Sequence, residues 1–379
     1  MNRKFYFSFL AFALAFAATI AFVIGASTSR ASAPSSALNA LPASDFIVSI
    51  DVQRALSEML PNMLASNPSM LSKLNANLEE FQQKTGINPR VFESVAIGGN
   101  LNQTFPATRR DPSSVIVARG SFKADELLNT GFAAAAKECT FDKEEQQYEG
   151  RTIFLISNVR LCKKEDSSGT SYRPAQPNER FGDPRSSTNS SSDGAKAVIQ
   201  GEAKPAQQDK FAVVAVDANT IAVGSPESVR AAIDASMGRN RVDDELVRLA
   251  SQSPNAIASF SGRIPKSVSE KQMGDNPFAR YFSSIREFYG SFNANGSEGE
   301  STFTLRTETT EQASELSKAI NSFKSLAAVG FASSKDTNSA EAKIIADLIN
   351  SLSVNSQDNE VQISAKFHLP SIAPNVKPF

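Results

Sequence analysis

The stretch Phe211-Ala-Val-Val-Ala-Val216, with Asp217-Ala-Asn219 and Thr220-Ile-Ala-Val223 after it, is the clearest sheet signal in this chain. Two apolar runs flank a short polar segment of the kind that forms turns, so a β-hairpin is predicted here. Both runs carry apolar side chains on each face of an extended backbone. That pattern favours a pair of strands in the centre of a sheet rather than at its edge.

Helix-start signals lie on both sides of this hairpin. Ser225 is followed by proline, which predicts a capped helix start because serine accepts from free backbone N–H groups and proline fits the first helical position. Asn67 carries the same signal, and Asp51 is predicted to cap the helix after it. Thr309 and Gln312 are predicted to form a capping box. The helix after Ser225 is predicted to face inward with Val229, Ile233 and Met237.

The order of the predicted elements repeats once along the chain. Strand, helix, strand, strand and helix follow one another from Phe46 to Lys137, and the same order returns from Ala256 to Ala328. We therefore predict an α+β fold in which antiparallel sheets pack against helices, built from two structurally related halves. The first half would span residues 45–240 and the second residues 241–379.

An N-terminal hydrophobic helix is predicted before these halves. The stretch Phe5 to Ala26 has no charged residue and follows Arg3 and Lys4. Its roughly 22 residues would span about 33 Å as a helix, which is enough to cross a membrane. Small residues after it also fit a cleavage site, so residues 1–30 are either a signal peptide or a retained transmembrane anchor. In both cases the rest of the chain is predicted to lie outside the cytoplasm.

Two polar segments are predicted to lack a fixed structure. Residues 31–44 are rich in Ser, Ala and Pro and are predicted to form a flexible tether between the membrane and the folded region. Residues 163–209 are dominated by Ser, Pro, Gly, Asn and charged residues. Such a segment cannot bury enough surface to offset its ordering entropy, so we predict a disordered insertion within the first half.

The two cysteines are predicted to face each other across a hairpin. A two-residue turn at Gly150-Arg151, with glycine first as a type II′ turn requires, would place Cys139 opposite Cys162. Such a pair lies within reach of a disulfide, and a disulfide persists outside the cytoplasm. The alternative is two unpaired thiols.

Composition excludes several classes of function. The chain has 39 basic and 40 acidic residues, which leaves no strongly basic surface for nucleic acid. With one histidine and two cysteines, a zinc cluster, a Cys-ligated iron–sulfur site and a two-histidine ligand set are excluded. No catalytic, cofactor-binding or metal-binding residue is therefore predicted, and no cofactor is expected.

Two features come closest to a chemical site. His368 falls on the polar face of a predicted strand and no Gly-x-Ser-x-Gly motif accompanies it, so an exposed histidine is favoured over a Ser–His–acid system. Asp243-Asp244-Glu245 lies at a predicted helix start, where carboxylates stabilise the helix dipole. That role is favoured over calcium binding or acid–base catalysis.

Two segments resemble a known group of proteins. Leu41-Pro-Ala-Ser-Asp45, followed by Phe-Ile-Val-Ser-Ile-Asp51, resembles the opening of the folded region in uncharacterised exported bacterial proteins. Asn219-Thr-Ile-Ala-Val-Gly224, with Ser-Pro-Glu-Ser-Val229 after it, is similar to later segments of those proteins. The resemblance covers a small part of the chain. It implies a bacterial, extracytoplasmic setting and no particular activity.

These observations predict a non-catalytic protein in the periplasm or at the cell surface, anchored in the inner membrane or secreted. Its expected partner is a protein, an envelope component or a hydrophobic ligand, besides the membrane itself if the N-terminal helix is retained. The alternative is an extracytoplasmic enzyme of unrecognised type. A carrier of hydrophobic ligands would need a continuous apolar cavity between sheet and helices.

Overall fold

The computed structural model describes residues 37–65, 67–101, 114–160, 210–265, 281, 283–332 and 349–368. Within these ranges twelve strands form one antiparallel sheet, which confirms the predicted α+β class. The strands are β1 Phe46–Asp51, β2 Phe92–Gly99, β3 Val115–Gly120, β4 Thr140–Tyr148, β5 Arg151–Arg160, β6 Phe211–Asp217, β7 Thr220–Gly224, β8 Ala258–Arg263, β9 Ile285–Asn295, β10 Glu298–Thr307, β11 Ser353–Gln357 and β12 Glu360–His368.

Six helices pack against this sheet in the part of the chain that the structure describes. The first, α1, consists of three consecutive pieces, of which the middle one has π-helical turns: Val52–Arg54, Ala55–Met59 and Leu60–Met63. The others are α2 Pro68–Thr85, α3 Ala124–Glu138, α4 Pro226–Ser236, α5 Asp244–Ala250 and α6 Thr310–Ala332.

The predicted helix caps are confirmed. The side chains of Asp51, Asn67 and Ser225 each accept a hydrogen bond from the backbone N–H three residues later, at 2.9, 3.2 and 3.1 Å. Thr309 and Gln312 exchange two hydrogen bonds of 3.3 Å, as a capping box requires. The local sequence therefore determines where these four helices begin.

The strand order in the sheet is β11-β12-β10-β9-β8-β1-β2-β3-β7-β6-β5-β4. The β6–β7 hairpin lies between β5 and β3, so the prediction that it is internal is confirmed. Strands β1 and β8 meet in the middle, where Ser49 lies opposite Ser259. The two open edges of the sheet are β4 and β11.

One face of the sheet, here called the α4 face, is apolar over β1, β2, β3, β5, β6 and β7. Helices α4 and α5 cover it together with a short 3-10 turn, Leu38–Ala40. In α4, Val229 and Ile233 are fully buried as predicted. Met237 is 44% exposed, because the helix ends one residue before it. The predicted inward position of Met237 is therefore wrong.

The opposite face, here called the α6 face, is apolar over most of the sheet and becomes polar at the edge strand β4, which presents Lys143 and Glu145. Helices α1, α2 and α3 pack against its first part, and α6 packs on β10, β11 and β12. The buried side chains under α6 come from strand and helix alike. They include Leu305, Ala313, Leu316 and Val361.

The N-terminal side of the fold is more ordered than predicted. Ala37, Leu38, Ala40 and Leu41 are all buried in the core beneath α4, although the tether was expected to extend to residue 44. Residues 31–36 of the predicted tether, the apolar N-terminal stretch and the predicted insertion at 163–209 lie outside the described residues. Among the residues described, no helix combines the length and apolarity that crossing a membrane demands.

The predicted turn at Gly150-Arg151 is wrong by one residue. Tyr148 pairs with Arg151, so the turn residues are Glu149 and Gly150, with φ of 47° and 73°. Two positive φ values identify a type I′ turn. Glycine is at the second turn position, and Glu149 adopts the left-handed region at the first. The register predicted for the cysteines therefore shifts.

The hairpin also has an irregularity near its open end. The pairing shifts between Thr140 and Asp142, and Thr140 lies opposite Arg160. Cys139 precedes β4 and is the C-terminal cap residue of α3. Cys162 lies outside the described residues, so the pairing of Cys139 with Cys162 stays a prediction.

Candidate functional site

The α4 face changes from apolar to polar beyond β8. Strands β9, β10, β12 and β11 turn polar side chains to it, while the alternate residues of the same strands face α6. Strand β12 illustrates this alternation, because Val361 is buried under α6 and Gln362 is exposed on the other side. A sheet with one solvated face is typical of antiparallel pairing.

This polar face contains a cavity of about 290 Å³, here called the polar trough. Its walls are the end of α5 with the residues after it, and its floor is formed by the strands. The lining residues are Leu249, Ala250, Gln252, Ser253, Tyr289, Gly290, Ser291, Thr302, Thr304, Asn355, Gln357, Glu360 and Gln362.

Hydroxyl groups hold the wall of the trough to its floor. The Oγ of Ser291 donates to the Oγ of Ser253 at 2.9 Å and lies 2.9 Å from the Oγ1 of Thr302. On the same side, the Oγ of Ser261 donates to the carbonyl oxygen of Leu246 at 2.7 Å, which fixes α5 to β8. The shape of the trough therefore follows from bonds between α5, the segment after it and the sheet.

The single carboxylate in the trough is neutralised by the protein itself. Glu360 accepts a hydrogen bond at its Oε1 from Nε of Arg306 at 2.9 Å, and Nη2 of Arg306 lies 2.8 Å from the same oxygen in an ion pair. Its Oε2 accepts from the hydroxyl of Tyr289 at 2.9 Å. Burial of the phenol, followed by the bond to Glu360, raises the pKa of Tyr289. Tyr289 is therefore a neutral hydrogen-bond donor to the carboxyl group of Glu360.

Arg306 extends this contact into a network at one end of the trough. Its Nη1 lies 2.6 Å from Oε2 of Glu287 and 3.4 Å from Oε1 of Glu245 in α5. Hydrogen bonds from Arg248, and then those from Arg306, lower the pKa of Glu245 to about 2. A carboxylate held ionised in this way is poorly suited to act as a general acid near neutral pH. The network links α5 to three strands.

The acidic run at the start of α5 has the role that the sequence predicted. The Oδ1 of Asp243 accepts from the backbone N–H of Glu245 at 2.8 Å, and this bond is the main reason that the pKa of Asp243 is lowered. Among the described residues no group of three or more His, Cys, Asp or Glu side chains could hold a metal ion. Glu245 additionally joins the Arg306 network, which the sequence analysis did not anticipate.

The histidine lies on the same polar face but outside the trough. His368 is exposed, and its Nδ1 lies 3.1 Å from Oε1 of Glu298 on the neighbouring strand. The interpretation as an exposed strand histidine is confirmed. Arg306 and Tyr289 were not singled out from the sequence; the available signal was the polar alternation of β9, β10 and β12.

A second cavity, of about 610 Å³, is an open groove between the end of α2 and the start of α3. Its lining mixes backbone and small polar groups with a few apolar side chains, such as Ile87, Val91 and Phe122. Neither of these two cavities is an enclosed apolar space. The hydrophobic-carrier hypothesis therefore receives no support from them.

No family model and no curated protein matches the chain. The chain is similar in structure to crystal forms III and I of TP0453. Form III has a TM-score of 0.41 at 8% identity, over 89% of this chain and 96% of that one. Form I has a TM-score of 0.39 at 7% identity, over 92% of this chain and 96% of that one. A likeness this low carries no inference about the present chain.

Proposed function

We propose that this chain is a non-catalytic extracytoplasmic protein, membrane-tethered or secreted, that binds a polar component of the cell envelope in the polar trough. The observation that carries this proposal is the polar part of the α4 face, which no described helix covers, beside a part that helices cover. Specific sites are concave and place a few polar groups toward a ligand. The basic and apolar N-terminal sequence supports the location.

An envelope component fits the trough better than the other expected partners. A hydrophobic ligand would leave the polar lining without hydrogen bonds, which is costly in a buried contact. A large protein partner would favour an apolar patch ringed by polar residues. An enzyme would need a carboxylate that is available for acid–base catalysis. Among the described lining residues the one carboxylate, Glu360, is paired with Arg306, so the enzyme alternative is less favoured.

We also infer that the two halves are structurally related. On one side of the central pair the order is β1-β2-β3, then β5-β4 after the inserted β7-β6 hairpin; on the other it is β8-β9-β10, then β12-β11. In both halves a helix on the α6 face follows the third strand, α3 in one and α6 in the other. The low residue identity between the halves is compatible with a shared topology.

The proposal also includes a disulfide between Cys139 and Cys162, because such a bond persists outside the cytoplasm. No free cysteine occurs among the described residues. Mass spectrometry of the protein from its native host, without reduction, tests this bond and reports the mature N-terminus as well. A linked peptide pair is expected; alkylation of both cysteines without reduction would contradict the disulfide.

The binding proposal is tested by sedimentation with insoluble envelope polymers in detergent, so that membrane attachment does not contribute. We expect the full-length protein to sediment with the polymers, and Gln362→Ala to reduce the bound fraction. Gln83→Ala is the matched control, because Gln83 is exposed on α2, away from the trough. Equal sedimentation of the two variants would contradict the assignment of the trough as the binding site.

A further inference from the structure

We propose that the polar trough binds a neutral oligosaccharide segment. This inference rests on the proposed function and names the chemical class of its ligand. It follows from the charge of the trough, from the side-chain groups that it presents and from its position on the sheet.

The described residues of the trough offer no net charge to a ligand. Among them the lining contains no lysine or arginine, and its one carboxylate, Glu360, is matched by Arg306 and Tyr289. Arg306 itself is shared among three carboxylates, and its guanidinium carbon lies 5.8 Å from the centre of the Tyr289 ring. An anionic ligand would find no available cation among the described lining residues, and a cationic ligand would compete with Arg306 for Glu360.

The trough presents four exposed amide side chains, Gln252, Asn355, Gln357 and Gln362. Within the described part of the chain these amides make no side-chain hydrogen bond to protein. Each amide can donate and accept at the same time. Sugar hydroxyl and acetamido groups also do both, so the two sets are complementary without any charge.

Position and size favour a saccharide over a peptide. An extended peptide is recognised mainly through the backbone at a sheet edge. Here Ser291 and Thr302 form the floor from strands whose backbone groups are paired across the sheet. The trough reaches the edge strand β11 at Asn355 and Gln357, and these two residues contribute amide side chains to its lining. The volume of about 290 Å³ is close to the lower limit for small-molecule sites, which fits a short segment of a longer chain.

The test is isothermal titration calorimetry of the full-length protein with tri-N-acetylchitotriose, a neutral acetylated trisaccharide. Triglycine and an acidic trisaccharide, trigalacturonate, are the comparison probes. We expect binding of the neutral trisaccharide alone. Gln362→Ala and Asn355→Ala should each weaken it about fivefold, since each removes hydrogen bonds of ordinary strength. Gln83→Ala should leave it unchanged.

Several outcomes would overturn the inference. These are no binding of the neutral trisaccharide, equal or tighter binding of triglycine or trigalacturonate, or binding that neither trough variant weakens. The sedimentation assay separates this failure from failure of the proposed function. If the protein sediments with envelope polymers through Gln362 but does not bind the trisaccharide, the saccharide assignment alone is wrong. If it does not sediment, both are wrong.

Discussion

The two parts of the α4 face differ sharply although they belong to one sheet. Over β1, β2, β3, β6 and β7 this face is apolar and lies under α4 and α5. Over β9, β10, β12 and β11 it is polar and forms the trough. On the opposite face both parts are apolar and covered by helices. The difference is therefore confined to one face.

Chain connectivity explains where the covering helix lies. The hairpin β6–β7 and helix α4 follow β5 in the first part of the chain, and α4 folds back over the face that the hairpin completes. Among the described elements, none covers β10, β11 and β12 on this face as α4 covers β6 and β7. The described residues therefore leave a polar face next to rigid elements, and sites built on rigid elements are suited to binding.

The largest effect is expected from removing a covering side chain. Ile233 of α4 has no exposed surface, so Ile233→Ala should lower the free energy of unfolding by about 2–5 kcal/mol, through lost burial and the cavity left behind. Urea denaturation measures this change. Met237→Ala, at the exposed end of the same helix, should cost less than about 1 kcal/mol. Equal losses in the two variants would contradict the view that α4 stabilises the fold by covering this face.

A smaller loss is expected at the Arg306 network, where the polar part joins α5. Arg306→Ala removes the guanidinium shared by Glu287 and Glu360, which keep only Arg263 and Tyr289 respectively, and the free energy of unfolding should fall by about 1–3 kcal/mol. Arg286→Ala, which removes a more exposed pair with Glu308, should cost less than about 1 kcal/mol. Denaturation of both variants at one salt concentration tests the order. The network would be unimportant if Arg286→Ala were the more destabilising change.

Much of this comparison could be predicted from the sequence, because its signals are local. The two apolar runs of the β6–β7 hairpin carry apolar side chains on both faces, and both strands lie inside the sheet. In β12 the alternation of Val361 with Gln362 indicates one covered and one open face. Caps such as Asp51 depend only on residues a few positions away, and they were located correctly.

Other features depend on contacts between distant parts of the chain and could not be predicted in this way. Leu38 and Leu41 lie in a stretch rich in Ser, Ala and Pro, and they are buried only because α4 packs on them. The turn depends on Glu149 adopting a positive φ. The prediction from sequence assigned a positive φ to glycine alone, and it therefore placed the turn one residue too late. The role of Arg306 depends on its ion-pair partners, which lie on three other elements that are distant in sequence.

A pH effect is expected where α5 meets the polar part. The folded pKa of Glu245 is about 2, below the ordinary value of 4.5, because Arg248 and Arg306 stabilise its ionised form. A depressed carboxylate pKa contributes stability that is fully present above the unfolded pKa and is lost as the pH falls through the folded pKa. Stability should therefore decline between about pH 4.5 and pH 2, and solvent screening keeps the effect small.

Glu245→Gln isolates this contribution, because the amide has no charge to protonate. Urea denaturation at several pH values should show a shallower acid-side decline in Glu245→Gln than in the wild type. Glu126, an exposed residue in the first turn of α3, supplies the matched control variant Glu126→Gln. An identical decline in Glu245→Gln and in the wild type would show that the acid loss comes from other carboxylates.

The smallest effect on stability is expected in the trough itself. Gln362 and Asn355 are exposed and make no side-chain hydrogen bond to protein within the described residues, so truncation to alanine exposes no core and leaves no buried group without a partner. Each variant should therefore change the free energy of unfolding by no more than about 0.5 kcal/mol. Urea denaturation in the absence of saccharide provides this value. A loss above about 1 kcal/mol would mean that these amides stabilise the sheet, and weakened binding in the same variants would then reflect damage to the fold.

An unchanged free energy of unfolding in these variants, compared with the large loss in Ile233→Ala, would distinguish two parts of the α4 face. One part stabilises the protein, and the other is free to bind a ligand.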